Sequence, residues 1–227
     1  MNKKLVEKWY DKEWQKDYGA LIIQHIAASL IFPRSSVLDV GCGNGRFLAL
    51  LRPKKCKLSG VDISKTAIEK CSLLGADAKR CDLTHETIPF HNASFDYITI
   101  LDVLEHLDDP ISALRKLRPK FRKGGKLIVS VPNALWLGYR AFHLLGKPIH
   151  RWVDSSDSTS YGEGIHEPTH IRYFDVHSLE LVLKLAGFRI SEFHSVGKLP
   201  KLKAFEFKSK RFQNLLAQTI IVVAEIN

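Results

Sequence analysis

Three alternate glycines, Gly41, Gly43 and Gly45, follow the apolar run Val37-Leu38-Asp39-Val40 and leave a turn with almost no side chains. Glycine admits positive φ and lets main chain approach a ligand closely, and a helix starting after such a turn offers unpaired N–H groups. The spacing narrows the ligand. A dinucleotide fingerprint needs G-x-G-x-x-G, and Arg46 stands where its third glycine belongs, which disfavours a pyrophosphate cradle. Lys57 to Asp62 reads as a second short strand ending in a carboxylate, placed to accept both hydroxyl hydrogens of a ribose. Asp82, at a third strand tip, can accept a hydrogen bond from an exocyclic amine such as that of adenine. Together these describe a nucleoside site without a phosphate site.

A second constellation follows the strand Phe95 to Leu101. Histidine as a residue type titrates in the range a general base needs, which makes His106 a candidate, and it can equally hydrogen-bond a loop or shield a ligand. Asp102, Glu105 and His106 stand at i, i+3 and i+4, a spacing that on a helical turn puts three potential ligands for a divalent cation on one face. Further along, His166-Glu167-Pro168-Thr169-His170 matches the H-E-x-x-H pattern of zinc proteases letter for letter. Pro168 rules that reading out, because both histidines must lie on one continuous helix. His166, His170 and Arg172 are therefore read as loop residues that either face a substrate or fix the loop.

Apolar periodicity supplies the elements that must position these groups. Strands are predicted near 36–40, 57–61, 77–81, 95–101, 126–131, 188–194 and 218–225, and helices near 18–31, 45–52, 64–74, 110–122 and 175–186. Ser64 caps one helix and Gly75 stops it; Pro110 suits the first turn of the next and Gly124 ends it. Such alternation implies an α/β fold with a doubly wound, mostly parallel sheet covered on both faces, and ligands in such sheets lie beyond the carboxyl ends of the strands.

Taken in order, the Asp39 to Gly45 loop, Gly60-Val61-Asp62 with Ile63, Cys81-Asp82-Leu83, Leu104-Glu105-His106 and the Gly124-Gly125 turn before Leu127 to Pro132 resemble the class I S-adenosylmethionine-dependent methyltransferases. The nearest subgroup is that of the small-molecule enzymes that include the ubiquinone-biosynthesis O-methyltransferases. The resemblance covers roughly residues 35 to 132 with a weaker tail from His170 to Phe188. It implies a Rossmann-like sheet of seven strands whose last is antiparallel, and S-adenosyl-L-methionine as cofactor. By the same resemblance Asp39, Gly41, Cys42, Gly43, Asn44, Gly45, Asp62, Ile63, Asp82, Leu83 and Leu101 border the cofactor, and His106 is the catalytic candidate. Some relatives bind a metal through a Glu-x-x-Glu-His arrangement. Here the first position is Asp102 and no adjacent second histidine follows, so no metal ligand is assigned.

At 227 residues with 45% hydrophobic content the chain can bury one sizeable core, read as a single domain. Its expected parts are a helical cap (1–34), a cofactor-binding core (35–132), an inserted substrate lid (133–174) and a C-terminal portion of the sheet (175–227). The insertion holds Trp136, Tyr139, Phe142, Trp152, Tyr161, Tyr173 and Phe174 around a serine-rich centre, which suits a mobile lid over an apolar acceptor. Tyr10, Trp136, Tyr161, His170 and Arg172 are the residues expected to meet that acceptor.

Formal net charge is +10, from 34 basic and 24 acidic side chains, and Lys198, Lys201, Lys203, Lys208, Lys210 and Arg211 cluster near the C-terminus. A solvated loop, an anionic acceptor, nucleic acid and an anionic membrane surface all fit that charge. Nucleic acid is not favoured, because no aromatic-interleaved RNA-binding motif is present. The amphipathic stretch Leu135 to Lys147 suits peripheral membrane contact. No apolar run approaches the ~20 residues of a transmembrane span, and Met1 to Leu5 has no signal core. Four cysteines without a C-x-x-C pair read as reduced thiols, which points to the cytoplasm. The functional expectation is methyl transfer to an oxygen atom of a small-molecule acceptor, an apolar or anionic metabolite. An RNA methyltransferase and a catalytically silent cofactor-binding relative are the alternatives.

Overall fold

Alternating apolar strands and amphipathic helices build one sheet in the computed structural model, which describes residues 22–146, 170–197, 205–207 and 215–227. The strands are β1 (Ser36–Val40), β2 (Lys57–Asp62), β3 (Asp77–Arg80), β4 (Phe95–Leu101), β5 (Phe121–Pro132), β6 (Phe188–Gly197), β7 (Phe205–Phe207) and β8 (Ala217–Ile226). They lie in the order β3-β2-β1-β4-β5-β8-β6-β7. Strands β1 to β5 pair in parallel, and β8 enters antiparallel between β5 and β6. The seven strands expected from the sequence are all present. The three-residue β7 adds an eighth at the edge, antiparallel to β6.

The helices are α1 (Ile22–Ser29), α2 (Arg46–Leu51), α3 (Lys65–Leu73), α4 (Pro110–Leu117), α5 (Leu137–Leu144) and α6 (Val176–Leu185). Every residue of β1 is buried, as a central parallel strand requires when helices cover both faces. Side chains alternate between the faces. Leu38 and Val40 pack with Leu114 and Leu117 of α4 and Leu179 and Leu183 of α6, whereas Val37 packs with Ile26 of α1 and Phe47 and Leu48 of α2.

Helix ends follow local chemistry. The Ser64 hydroxyl accepts from Ala67 N at 3.1 Å, Asp109 accepts from Ser112 N at 2.9 Å ahead of Pro110, and Asp175 forms a capping box with Ser178. Gly75, at φ 81°, ends α3 as expected. Two boundaries differ. Pro119 stops α4 at Leu117, leaving one 3-10 turn (Arg118–Lys120), so Gly124 lies inside β5 and ends no helix. Pro53 likewise confines α2 to six residues followed by a 3-10 turn.

Both described ends of the insertion are fastened together. Ala134 N donates to Phe174 O at 2.8 Å, and Asn133 bridges Phe174 in parallel. Tyr10, Tyr161, the serine-rich centre of the insertion and the basic cluster from Lys198 to Arg211 lie outside the described residues. Among the described residues no helix is long and apolar enough to cross a membrane.

Candidate active site

Strand order reverses at β1, whose neighbours β2 and β4 carry their chains to opposite sides of the sheet. A crevice therefore opens at the carboxyl ends of β1 and β4. The glycine loop fills it. Gly41, Gly43 and Gly45 have φ of 74°, 50° and 79°, the left-handed region that side chains avoid. Space excludes side chains as well: a Cβ on Gly41 would sit 2.4 Å from Val103 Cγ2, and one on Gly45 would sit 2.6 Å from Leu74 Cδ1.

The loop amides are spent within the fold. Gly41 N and Cys42 N donate to Val61 O at 2.8 and 3.1 Å, Gly45 N donates to Cys42 O at 3.0 Å, and Gly43 N donates to Asp62 Oδ2 at 2.9 Å. These bonds take up donors that a phosphate nest would need, and α2 behind the loop is short. Cys42 turns its side chain inward, with Sγ 3.5 Å from Cys71 Sγ, so only its main chain borders the crevice. The neighbouring Cys71 and burial push the Cys42 thiol up, so it stays protonated.

Asp62 is the hinge of this arrangement. One carboxylate oxygen takes Gly43 N, and the other takes Ser64 N at 2.9 Å, tying the loop to the start of α3. Those bonds orient a carboxylate that can accept about four in all. Asp39, on the adjacent strand β1 in register with Gly60, is 3% exposed, with Thr99 Oγ1 donating to its Oδ1 at 2.7 Å. Burial raises its carboxyl to about 7, against the Thr99 hydrogen bond and with help from the charge of Asp62.

Asp82 caps its own turn. Its Oδ1 accepts from Thr84 N at 3.0 Å and its Oδ2 lies 3.1 Å from His85 Nδ1. Lys116 Nζ donates to Leu83 O and Thr84 O, both at 2.8 Å, and fastens the same turn from α4. Asn44 takes Arg46 Nε at 2.9 Å on its Oδ1, while Ile63 and Leu101 are half-buried.

The second constellation departs from its expected geometry. Asp102 has φ 54°, which an aspartate tolerates, and the following turn is a 3-10 turn over Leu104–His106. Asp102 therefore lies before the turn and shares no helical face with Glu105 and His106. Its N donates to Ser130, and Ser130 Oγ donates back to Asp102 Oδ1 at 2.8 Å. His170 is the residue that joins Glu105 and His106 instead. The His106 and His170 rings meet edge to face at 4.7 Å, and His170 Nε2 lies 3.8 Å from Glu105 Oε1.

Glu105 is 1% exposed and neither of its carboxylate oxygens has a hydrogen bond. Burial, then the charge of Asp102, hold its carboxyl well above the usual range. Burial and His106 push His170 down to about 4, leaving it neutral at pH 7. Arg172 was expected at the acceptor. Its guanidinium is spent on the backbone, with Nε donating to Leu107 O at 2.8 Å and Nη2 to Asp108 O, while Ile171 N and Arg172 N both donate to Glu105 O. It clamps the His170 segment to the turn that carries His106. Trp136 is half-buried, in an edge-to-face contact with Tyr139 at 5.2 Å. Thr99, Ser130 and Lys116 support the site without having been singled out in the sequence, since nothing in their spacing announces their partners.

A doubly wound sheet whose Gly41, Cys42, Gly43 and Gly45 amides are bonded within the fold, with acids at the tips of β2 and β3, is the architecture of the class I methyltransferases. The chain belongs to the family described as methyltransferase domain, whose profile matches residues 10–192, and it is an S-adenosyl-L-methionine-dependent methyltransferase. The ubiquinone biosynthesis O-methyltransferase of Marinobacter nauticus is 26% identical over 167 residues, covering 65% of this chain and 70% of that protein. Its counterpart from Xanthomonas campestris pv. campestris is 26% identical over 138 residues, and the match spans only 58% of that relative. A Thermotoga maritima crystal structure described as a possible histamine N-methyltransferase superposes with a TM-score of 0.69 over 99% of both chains at 19% identity, a likeness of fold alone.

Proposed function

We propose that the chain moves the methyl group of S-adenosyl-L-methionine to an oxygen atom of a small-molecule acceptor held beside Glu105, His106 and His170. The carrying observation is position: this cluster and the glycine loop with Asp62 stand at the same carboxyl edge of the sheet. In the transfer the S–CH3 bond breaks as the O–CH3 bond forms, and the acceptor hydroxyl proton passes to His106. A sulfonium methyl is already a good electrophile, so the protein's work is to hold the acceptor in line at ~3–3.5 Å and keep water out. Asp62 positions the ribose, and Asp39 places negative charge under the loop on the side of the cationic cofactor. The O-methyltransferase relatives, distant as they are, support oxygen as the acceptor atom.

Glu105, His106 and His170 also fit a divalent cation, because a buried carboxylate without donors facing two imidazoles is a donor set in want of a positive charge. A cation bound there supplies Lewis-acid polarisation of the acceptor hydroxyl. His106 accepts the proton only when that site is not in use by a cation.

The test is methyl transfer from labelled cofactor into a whole-cell metabolite extract, with RNA and lipid fractions kept apart. Label should enter the small-molecule fraction, and His106→Ala should lower the rate by ~10²–10⁴-fold with cofactor affinity intact. Label confined to RNA would overturn the reading.

A further inference from the structure

We propose that Lys116 of α4 is a positioning residue for cofactor selection: by holding the carbonyls of Leu83 and Thr84 it aims the Asp82 carboxylate at the exocyclic amine of adenine. The inference rests on the reading of Asp82 as the acceptor for that amine. It adds the residue that sets the direction of the acid, and hence the base that the site accepts.

The link runs through two peptide planes. In a trans peptide the C=O and the N–H that follows it point opposite ways, so fixing one fixes the other. Lys116 Nζ reaches back 33 and 32 positions along the chain to donate to Leu83 O and Thr84 O, each at 2.8 Å. With the Leu83 carbonyl drawn towards α4, Thr84 N points away from it and donates to Asp82 Oδ1 at 3.0 Å. With the Thr84 carbonyl drawn the same way, His85 N donates to Asp82 O at 3.1 Å. One ammonium therefore orients both the side chain and the backbone of Asp82.

The turn so held stands where a base would follow a sugar. Cys81 N donates to Asp62 O at 2.9 Å, which seats the start of the turn against the tip of β2, beside the proposed ribose acceptor. Thr84 N and His85 Nδ1 set the plane of the Asp82 carboxylate, one on each oxygen, and a carboxylate accepts about four bonds in all. Asp82 O faces into the turn, where it takes His85 N and Glu86 N, so Leu83 N, on the other side of that peptide, points out of it. An acceptor on Asp82 beside a donor on Leu83 complements adenine, whose edge sets an amine beside a bare ring nitrogen. It opposes hypoxanthine, in which an oxo group and a ring N–H reverse both polarities.

Two other lysines fasten the connection between β3 and β4, and neither touches these planes. Lys79 Nζ donates to Pro89 O at 3.2 Å, while Lys120 Nζ donates to Phe90 O at 2.7 Å and to Asn92 Oδ1 at 3.0 Å. Both act beyond the Asp82 turn. Lys116 alone of the three meets the peptides whose amides bond Asp82, and its half-buried stem rises from between Leu114 and Leu117, which are buried in the core with Leu83. Ordering a lysine costs rotamer entropy, which two charge-assisted bonds offset.

Calorimetric binding of S-adenosyl-L-homocysteine and of S-inosyl-L-homocysteine, its hypoxanthine counterpart, tests the assignment. Wild type should prefer the adenine form by ~10-fold or more, because the other sets acceptor against acceptor and donor against donor. Lys116→Met keeps the stem and removes the donors. It should bind the adenine form ~10-fold more weakly and the hypoxanthine form unchanged, closing most of that preference. Lys116→Arg should retain most of it, and Lys120→Met, which loosens the same connection elsewhere, should leave it as in wild type. Lys116→Gln carries the expectation of Lys116→Met should thermal melting show that variant unfolded. Equal weakening of both ligands by the folded variant, an intact preference, or a matching loss in Lys120→Met would overturn the proposal. A wild type without preference would overturn it together with the reading of Asp82. No methyl transfer enters these measurements, so failure of oxygen methylation would show only in the labelled-transfer assay.

Discussion

The carboxyl of Asp39 changes its charge near neutrality. Burial raises it to about 7, so between about pH 4 and 7 the folded chain holds a proton that the unfolded chain has released. Its contribution to stability therefore falls as pH rises through that window. His170 works in the opposite sense: held down to about 4, it is neutral in the fold where the unfolded chain is protonated, and its contribution is lost as pH falls from about 6.5 to about 4. A sulfonium cofactor favours the ionised Asp39. Affinity for S-adenosyl-L-methionine should rise by up to ~10-fold from about pH 6 to about pH 8, and Asp39→Asn should flatten that dependence. Calorimetry across the range decides, and an equal slope in the variant would remove Asp39 from the effect. The glycines and Asp62 were legible in the sequence because backbone geometry and strand tips leave local signatures. The isolation of Glu105 was not, since it depends on which donors fail to arrive from elsewhere in the chain. For Arg172 the sequence leaves acceptor contact and loop fixing both open, because it shows a positive charge but not the carbonyls of Leu107 and Asp108 that its guanidinium meets.

At the scale of elements β1, β2 and β4 were readable almost residue by residue, because central parallel strands are continuous apolar runs, whereas β5 begins at Phe121, inside the stretch expected to be helical. The eighth strand, three residues at the edge, carries no such signal. The end of α4 was written in Pro119, which outranks the later Gly124. The turn after β4 misled because i, i+3, i+4 spacing presupposes an α-helix, and a 3-10 turn starting at Leu104 breaks that presumption. The junction between this turn and the 170–172 segment now becomes the element to probe. Arg172→Ala should free both, speeding hydrogen exchange at the amides of Ile171 and Arg172 and lowering methyl transfer by ~10²-fold, since misplacement of about 1 Å has that effect. Cofactor affinity should not change, and Arg172→Lys should recover only part of the rate because an ammonium cannot reproduce the two-carbonyl fork. A weaker acceptor affinity at unchanged turnover would instead return Arg172 to substrate binding.

Across the whole molecule, the sheet gathers two groups at one edge: the glycine loop and acids from β1, β2 and β3, proposed to hold the cofactor, and Glu105 and His106 from the turn after β4 joined by His170 from the segment before α6, proposed to serve the acceptor. The fold was legible because the order of motifs along the chain is the order of strand tips along the crevice. The convergence of His170 on Glu105 was not, because it depends on how the insertion between β5 and α6 returns to the sheet. Cofactor binding and chemistry should be separable along that edge. Calorimetric titration of S-adenosyl-L-methionine into wild type, Asp62→Ala and His106→Ala tests it most directly. Asp62→Ala removes the proposed ribose acceptor and frees the amides of Gly43 and Ser64, so affinity should fall by ~1–3 kcal/mol, whereas His106→Ala should bind as wild type does. Undiminished binding by Asp62→Ala, or loss of binding in His106→Ala, would rule that separation out.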